Sequence, residues 1–277
     1  MGKVLTAADI AGYQRHGYHF PTRVLSPEEA RHYRSRLETY EASSGGPIAP
    51  RMRQKVHLLF TWAAELVRHP RILDAVEDVI GPDILCWTSN FFIKEPQTPD
   101  YVSWHQDGTY WGLSSSDVVS AWVALADAPV ESGAMRFWPG SHKMEQLPHN
   151  DTFHEHNLLT RGQEIAVDVP ENEGISVPLA AGEMSLHHVL LVHGSGPNTT
   201  NDRRIGLVMR FIPPHVAQTK TTDSATLVRG VDRFGHFDLE PAPKSDLDAA
   251  AVAAHQDAVT RKIKTLYSGT DRQDFRA

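Results

Sequence analysis

Hydrophobic residues follow two different periods along the chain, and the change falls near residue 83. Over the first ~80 residues, apolar positions recur at the spacing of an amphipathic helix. Ser26 and Glu29 form a capping box, which predicts a helix running to about Tyr40. Two shorter helices are predicted over 61–68 and 71–80. This part of the chain is therefore expected to be mainly helical.

Beyond that point, short runs of apolar and β-branched residues are separated by turn residues, a pattern typical of strands. About eight such runs predict a double-sheet jelly roll. The predicted strands are 84–94, 101–106, 118–125, 134–138, 174–177, 183–188, 189–193 and 204–212. A last helix is predicted from a cap at 245–248 to about Tyr267. The predicted fold class is mostly β with flanking helices around a cupin-like jelly-roll core.

These elements predict one domain over 1–277, because 277 residues is an ordinary length for a single elaborated β domain. Its parts are a helical N-terminal part over 1–82, a jelly-roll core over 83–214 and a helical C-terminal extension over 215–277. The sequence contains no internal repeat and no low-complexity block that would divide it.

Composition narrows the classes of partner. A formal net charge of −7 argues against a broad basic surface for nucleic acid. No apolar run approaches the ~20 residues of a membrane span, and no signal peptide is visible. Cys86 is the single cysteine, so no disulfide can form within the chain. The expected protein is cytoplasmic and acts on a small molecule without nucleic acid or membrane partners; the sequence does not determine its oligomeric state.

The segment Trp104-His105-Gln106-Asp107 contains a candidate metal site. Side chains two apart in a strand point to the same face, so His105 and Asp107 could bind one ion. His193 ends a later predicted strand and could supply a third ligand. Two histidines and one carboxylate on one side of a metal form the ligand set of non-haem Fe(II) oxygenases. A His-x-Asp spacing alone is equally compatible with a structural role.

The segment His193-Gly194-Ser195-Gly196 and the following Arg204 suggest a binding site for an oxo acid. Ser195 can donate a hydrogen bond to a carboxylate, and a guanidinium binds a carboxylate through two parallel hydrogen bonds. Arg204 opens a predicted strand, whereas Arg203 is expected to face away from it. The alternatives are a simple hairpin turn and a pair of solvated arginines.

Together these segments resemble the phytanoyl-CoA dioxygenase family of Fe(II)/2-oxoglutarate oxygenases over roughly 6–214. The stretches that carry the resemblance are Trp104-His105-Gln106-Asp107, Ala121-Trp122, Pro139-Gly140-Ser141-His142-Lys143, and His193-Gly194-Ser195-Gly196 with Arg204. The resemblance implies a double-stranded β-helix, an iron triad of His105, Asp107 and His193, and 2-oxoglutarate bound by Arg204 and Ser195. It further implies that Trp122 lines the oxoglutarate pocket, with Asn90 and Lys55 as neighbours.

The activity that this resemblance implies is oxidation of an unactivated C–H bond by O2, with succinate and CO2 as co-products. Halogenases in the family carry a small residue at the carboxylate position, so Asp107 favours hydroxylation. The implied substrate is a small polar or anionic metabolite, such as an organophosphonate like 2-aminoethylphosphonate or a natural-product intermediate. Two other functions remain open: a zinc-dependent cupin-type hydrolase, and a non-catalytic module that binds metal and 2-oxoglutarate.

Four residues are candidates for contact with the substrate. Tyr110 and Trp111 follow the metal motif closely and could form a wall of the pocket, although both could equally be core aromatics. Arg136 and Arg210 lie on predicted strands and could bind an anionic group. Because buried arginines usually have a partner, each could instead form a structural salt bridge.

Overall fold

Two main sheets, a separate two-stranded sheet and a set of flanking helices make up the fold in a computed structural model, which describes residues 2–271. In chain order the elements are α1 (Ala7–His16), β1 (Tyr18–Arg23), α2 (Pro27–Ser44), α3 (Thr61–Leu66), α4 (Pro70–Ile80), β2 (Ile84–Lys94), β3 (Val102–His105), β4 (Val119–Ala124), β5 (Met135–Phe137), β6 (His149–Asp151), β7 (Gln163–Ile165), β8 (Ile175–Val177), β9 (Glu183–His188), β10 (His193–Ser195), β11 (Arg204–Ile212), β12 (Ser224–Arg229), β13 (Asp238–Leu239) and α5 (Ala249–Leu266).

The larger sheet has the strand order β1-β9-β4-β11-β2-β12-β13, and the smaller one has the order β3-β10-β5-β8. Neighbouring strands are antiparallel, except that β12 and β13 run parallel. One cavity is lined by residues from both sheets, including Trp122 and Arg204 from the larger and Val102 and His193 from the smaller. The predicted fold class, a jelly roll with flanking helices, is confirmed.

Strand β11 shows how the larger sheet separates its core from its site. Its residues Ile205, Leu207, Met209 and Phe211 pack in one hydrophobic cluster with residues of α2, α3 and α4. The residues between them, among them Arg204, Val208 and Arg210, line the cavity between the sheets. Because side chains alternate along a strand, one face is covered by helices and the other faces the site.

The helices begin where the sequence provides caps. The Ser26 side chain accepts a hydrogen bond from the Glu29 backbone N–H, and the Glu29 carboxylate accepts one from the Ser26 N–H in return. Asp248 caps α5 by accepting from the Ala251 N–H. Within the described part of the chain, none of the helices combines the length and the apolar character that crossing a bilayer requires.

Three strands of the larger sheet, β1, β12 and β13, lie outside the predicted core range of 83–214. β1 pairs with β9 at one edge, and β12 pairs with β2 towards the other. The sequence of β1 contains Pro21, which suppresses a strand signal but is tolerated at a sheet edge. The sheet therefore includes parts of both segments that were expected to be helical or irregular.

The strand predicted over 189–193 is corrected by the structure. Residues 189–192 are not part of a strand: 189 and 190 form a turn that the Leu191 N–H closes by donating to the His188 carbonyl, and the strand β10 is His193–Ser195. Val189, Leu191 and Val192 are apolar because they are buried in this segment, so their hydrophobicity imitates a buried strand.

Candidate metal centre and its pocket

Strand pairing brings the three predicted metal ligands together. β10 pairs with β3 so that His193 lies directly opposite His105. β3 ends at His105, but Gln106 keeps an extended backbone, so Asp107 still projects to the same side. The ligand atoms of His105, Asp107 and His193 all lie within 4.8 Å of one another, and all three residues are buried. A single ion could contact all three.

Backbone hydrogen bonds fix the orientation of both imidazoles. His105 Nδ1 lies 2.9 Å from the Ser103 carbonyl, and His193 Nδ1 lies 2.9 Å from the Leu191 carbonyl. A carbonyl only accepts, so each Nδ1 carries the proton and each Nε2 keeps its lone pair for a metal. Burial and the neighbouring His105 and His187 lower the pKa of His193 well below its usual value, which favours the neutral form that a metal requires.

Asp107 is held as an anion by Arg210. The Arg210 guanidinium donates to both carboxylate oxygens, with Nη2 3.1 Å from Oδ1 and Nε 3.3 Å from Oδ2, and Ser120 Oγ lies 3.2 Å from Oδ2. Burial opposes ionisation, but Arg210 and the two histidines outweigh it and keep the pKa of Asp107 well below its usual value. Two neutral imidazoles and one carboxylate therefore fit Fe(II).

Replacing Arg210 by methionine is expected to destabilise the metal-free protein by about 3 kcal/mol, because Asp107 is left as an uncompensated buried charge. A bound divalent ion supplies the missing positive charge, so metal should stabilise Arg210→Met more than it stabilises the wild type. Urea unfolding with and without Fe(II) under anaerobic conditions measures both effects.

Arg31→Met is the matched control, because Arg31 forms an exposed ion pair with Glu28 on α2. Exposed pairs contribute roughly 0–1 kcal/mol, so this variant should unfold like the wild type in both states. Equal metal-induced stabilisation of Arg210→Met and the wild type would contradict the assignment of Asp107 as a ligand.

A pocket with an empty volume of about 390 Å³ adjoins the triad, and Arg204 lies in its wall. Arg204 is 1% exposed; its Nη1 donates to the Gly133 carbonyl at 2.6 Å, and its Nε is buried without a partner. Burial lowers the pKa of Arg204 to about 10, and no carboxylate among residues 2–271 forms an ion pair with it. A buried guanidinium with unused donors is suited to an anionic ligand.

Trp122 and Ser195, the other two residues that the resemblance implied for oxoglutarate binding, line the same pocket as Arg204. The Arg204 guanidinium lies 5.6 Å from the centre of the Trp122 ring, which restricts its position. Gly206 passes so close to this ring that a Cβ atom at residue 206 would lie 1.9 Å from it. Glycine is therefore required there for the indole to lie flat against β11.

Lys94 is a second buried cation that the sequence analysis did not single out. It is the cross-strand neighbour of Arg204, and its Nζ donates to Ser195 Oγ at 2.7 Å. Burial and the Arg204 charge lower the pKa of Lys94 to about 6, so the amine is largely neutral at pH 7. The signal that could have found it is the position of Lys94 at the end of β2, opposite the start of β11.

Two predicted residues do not reach this pocket. Lys55 donates to the Ser224 carbonyl at 2.7 Å and forms a buried ion pair with Glu240, so its charge is already compensated. Asn90 lies beyond Arg210, whose Nη1 lies 3.3 Å from the Asn90 Oδ1. Asn90 lines a second cavity instead.

The second cavity lies on the other side of Asp107, and Phe92, Asp107 and Arg210 belong to the walls of both. We call it the α5 cavity, because α5 supplies Lys262 and Leu266 to its wall. The structure places three of the predicted substrate residues there, namely Tyr110, Trp111 and Arg210. Arg210 also forms an ion pair with Asp107. Its contacts in the structure are therefore those of the structural salt bridge that the sequence left open as an alternative.

Arg136 does not point towards the triad. On β5, Met135 lines the pocket that adjoins the triad. Arg136 projects from the other face of the strand, where its guanidinium lies 5.3 Å from the Trp104 ring centre. The sequence analysis offered Arg136 as a residue that could bind an anionic group, but the alternation of side chains along β5 directs it away from the triad. By contrast, His187 on β9 lines the pocket beside the triad, and the centre of its ring lies 4.8 Å from that of His193.

Comparison with known proteins agrees with this geometry. Residues 13–206 match the family model described as phytanoyl-CoA dioxygenase (PhyH), so the chain belongs to the phytanoyl-CoA dioxygenase family. The resemblance found in the sequence is therefore confirmed. Iron as the metal and 2-oxoglutarate as the cosubstrate are consistent with this membership and with the His–Asp–His set.

Individual relatives show how far the similarity extends. A protein of Stutzerimonas stutzeri named probable alpha-ketoglutarate-dependent hypophosphite dioxygenase is 29% identical over 180 residues, which cover 63% of this chain and 62% of the relative. The match thus spans less than two thirds of that relative. The non-heme monooxygenase ThoJ, solved as the apo protein, superimposes with a TM-score of 0.84 at 38% identity, over 93% of this chain and 96% of ThoJ.

A third structure, CytC3 with Fe(II) and alpha-ketoglutarate, has a TM-score of 0.66 at 22% identity. The match covers 90% of this chain and 97% of CytC3. At that identity the likeness shows a shared fold.

Proposed function

We propose that this protein is an Fe(II)/2-oxoglutarate-dependent dioxygenase that hydroxylates a small polar or anionic metabolite and releases succinate and CO2. The observation that carries the proposal is the presence of two complementary sites in one pocket. His105, Asp107 and His193 form a metal-binding set, and the buried Arg204 lies in the wall of the same cavity with no carboxylate partner among the described residues.

The residues of this pocket have two proposed roles: binding iron and oxoglutarate, and keeping water out. Nε2 of His105, Nε2 of His193 and a carboxylate oxygen of Asp107 would hold iron from one side. Arg204 would bind the distal carboxylate of oxoglutarate, and Ser195 would donate to the same group. Trp122, a buried residue in the wall of the pocket, would help to exclude water. When bound, iron together with oxoglutarate supplies the oxidation by O2.

The same geometry bears on the two alternative functions, a zinc-dependent hydrolase and a non-catalytic binding module, and on the choice between hydroxylation and chlorination. A zinc-dependent hydrolase could use the same three ligands, but it would have no need for a buried guanidinium that lacks an acidic partner. A non-catalytic module would keep both features and would consume no oxoglutarate. Asp107 occupies the position that a halide would need, so hydroxylation is proposed over chlorination.

The substrate class rests on the α5 cavity. Three cationic side chains, Arg161, Arg210 and Lys262, line this cavity, and Asp107 is the carboxylate among its lining residues. A cavity beside the metal set that is lined by several basic side chains and one carboxylate favours an anionic metabolite. An organophosphonate such as 2-aminoethylphosphonate fits this chemistry, and the hypophosphite named for the Stutzerimonas stutzeri relative is also a phosphorus oxoanion.

An anaerobic titration tests the proposed function. Fe(II) and 2-oxoglutarate added together to the metal-free protein should produce a weak visible charge-transfer band that neither produces alone. Admission of O2 should then yield succinate in a slow reaction without substrate. Tight zinc binding with no band and no succinate would support the hydrolase, whereas a stable band with no succinate would support the binding module.

A further inference from the structure

The α5 cavity contains a buried lysine amine that the metal and oxoglutarate sites do not use. Lys262, from the last helix, is 6% exposed. Its Nζ donates to the Gln54 side-chain oxygen at 3.0 Å and to Thr88 Oγ1 at 2.7 Å. Both acceptors are neutral. Within residues 2–271, no carboxylate forms an ion pair with Lys262.

The other charged groups of the cavity are already paired. Arg161 Nη1 donates to Asp151 at 2.9 Å, and Arg210 binds Asp107. Asp223 is the other carboxylate that influences Lys262, and it accepts a hydrogen bond from Trp87 Nε1 at 2.7 Å. Lys262 is therefore the basic group of this cavity that has no acidic partner among the described residues.

Burying an ammonium group without a counterion costs free energy. Burial and the nearby Arg210 charge lower the pKa of Lys262 well below its usual value, which reflects this cost. Binding of iron would add to the imbalance, since Asp107 would share its negative charge with the metal as well as with Arg210. An anion in the cavity would compensate both cations.

The cavity is also built to hold a ligand in a fixed position. Arg161 Nε donates to the Leu266 carbonyl at 2.7 Å, and Nη2 donates to the Ser268 carbonyl at 2.8 Å, which ties the end of α5 to the segment between β6 and β7. The Arg161 guanidinium also lies 3.9 Å from the centre of the Tyr110 ring. An empty volume of about 540 Å³ is in the range of small-molecule sites.

We propose that Lys262, with Arg210 beside it, binds a carboxylate, phosphonate or phosphate group of the substrate in the α5 cavity. The inference rests on the proposed function, because it places the rest of the substrate towards the metal set, across the shared wall of Phe92, Asp107 and Arg210. It makes α5 a specificity-determining part of the site. Gln54 and Gln163 lie in the same wall and offer neutral hydrogen-bonding groups for a polar substrate.

The test uses the full chain with Fe(II) and saturating 2-oxoglutarate under anaerobic conditions, so that the Arg204 site is occupied. Three probes are titrated: propionate, methylphosphonate and the uncharged dimethyl methylphosphonate. The readouts are the charge-transfer band and tryptophan fluorescence, because the Trp87 ring lies 5.4 Å from Lys262 Nζ and 4.9 Å from the Trp111 ring. The two anions show which acid group the cavity prefers.

We expect at least one anion to bind saturably to the wild type and the neutral ester not to bind. Lys262→Met should weaken anion binding about tenfold or more, because a charge-assisted hydrogen bond is lost. Lys264→Met is the matched control, since Lys264 lies on the same helix and is exposed. Lys262→Gln replaces Lys262→Met if the latter does not form the band.

Three results would overturn the inference: no binding of either anion to wild type that shows the band, equal binding by Lys262→Met, or equal binding of the ester. Failure of the proposed function is seen separately, because the wild type would then form no band, or would form the band and yield no succinate on admission of O2. Fluorescence titration of the metal-free protein with the same probes still measures the contribution of Lys262 in that case.

Discussion

Replacing His193 by alanine is expected to abolish succinate formation and to weaken Fe(II) binding strongly. Loss of a residue that only hydrogen-bonds to a ligand typically weakens metal binding about 10–100-fold, and loss of a ligand itself should weaken it more. Two of the three ligands, His105 and Asp107, would remain, and neither offers a substitute for the lost imidazole. The Leu191 carbonyl that orients His193 would also lose its partner. Band intensity against Fe(II) concentration measures the affinity, and succinate measures turnover.

His188→Ala provides the control. His188 lies on β9, and its Nδ1 accepts from the Leu190 N–H at 3.1 Å, while its ring stacks near His142 instead of the triad. This variant should keep the band and the succinate yield. An unchanged band in His193→Ala would contradict the assignment of the metal set. Loss of the band in both His193→Ala and His188→Ala would indicate a general folding defect.

The metal set could be predicted from sequence because part of its geometry is local. His105 and Asp107 are two residues apart in extended backbone, so their convergence needs no long-range contact. His193 required a guess about pairing, which the antiparallel register of β3 and β10 satisfies. The incorrect strand prediction over 189–193 did not affect the assignment of His193, because its last residue is the first residue of β10.

Alternation along strands explains both a success and an error. Arg204 and Arg210 are separated by an even number of positions on β11, so both face the cavity between the sheets. The same rule applied to β5 would have turned Arg136 outward, because Met135 and Phe137 are the buried positions. The apolar neighbours of a charged residue thus carry the information about its direction.

The residues that could not be predicted depend on contacts between distant parts of the chain. Lys55 is paired with Glu240, which lies 185 residues further on and neutralises it. Lys262 reaches Thr88 from 174 residues away, through the docking of α5 on β2. Spacing within one sequence does not encode such contacts, so the sequence analysis assigned Lys55 to the neighbourhood of the oxoglutarate pocket and did not single out Lys262.

Arg204→Met is expected to raise the KM for 2-oxoglutarate about 30-fold or more, because a buried charge-assisted contact contributes roughly 2 kcal/mol or more to binding. The value of kcat at saturating oxoglutarate should fall much less, since Arg204 would bind the cosubstrate at the end remote from the metal. Succinate formation measured against oxoglutarate concentration separates the two effects.

The neighbouring arginine is the matched control for this substitution. Arg203 points to the opposite side of β11 and donates to Glu41 at 2.7 Å and to Glu95 at 2.8 Å. Arg203→Met should therefore leave the KM for oxoglutarate unchanged. A similar KM in Arg204→Met and the wild type, or an equal rise in Arg203→Met, would contradict the assignment of Arg204.

Lys94 should limit the loss in Arg204→Met. The Arg204 charge is one of the causes that lower the pKa of Lys94, so its removal raises that pKa and gives Lys94 more positive charge near pH 7. A protonated Lys94 beside Ser195 could then attract the oxoglutarate carboxylate in place of the guanidinium. The double variant Arg204→Met/Lys94→Met should consequently lose more affinity than the two single changes add up to, because each cation partly compensates for the absence of the other.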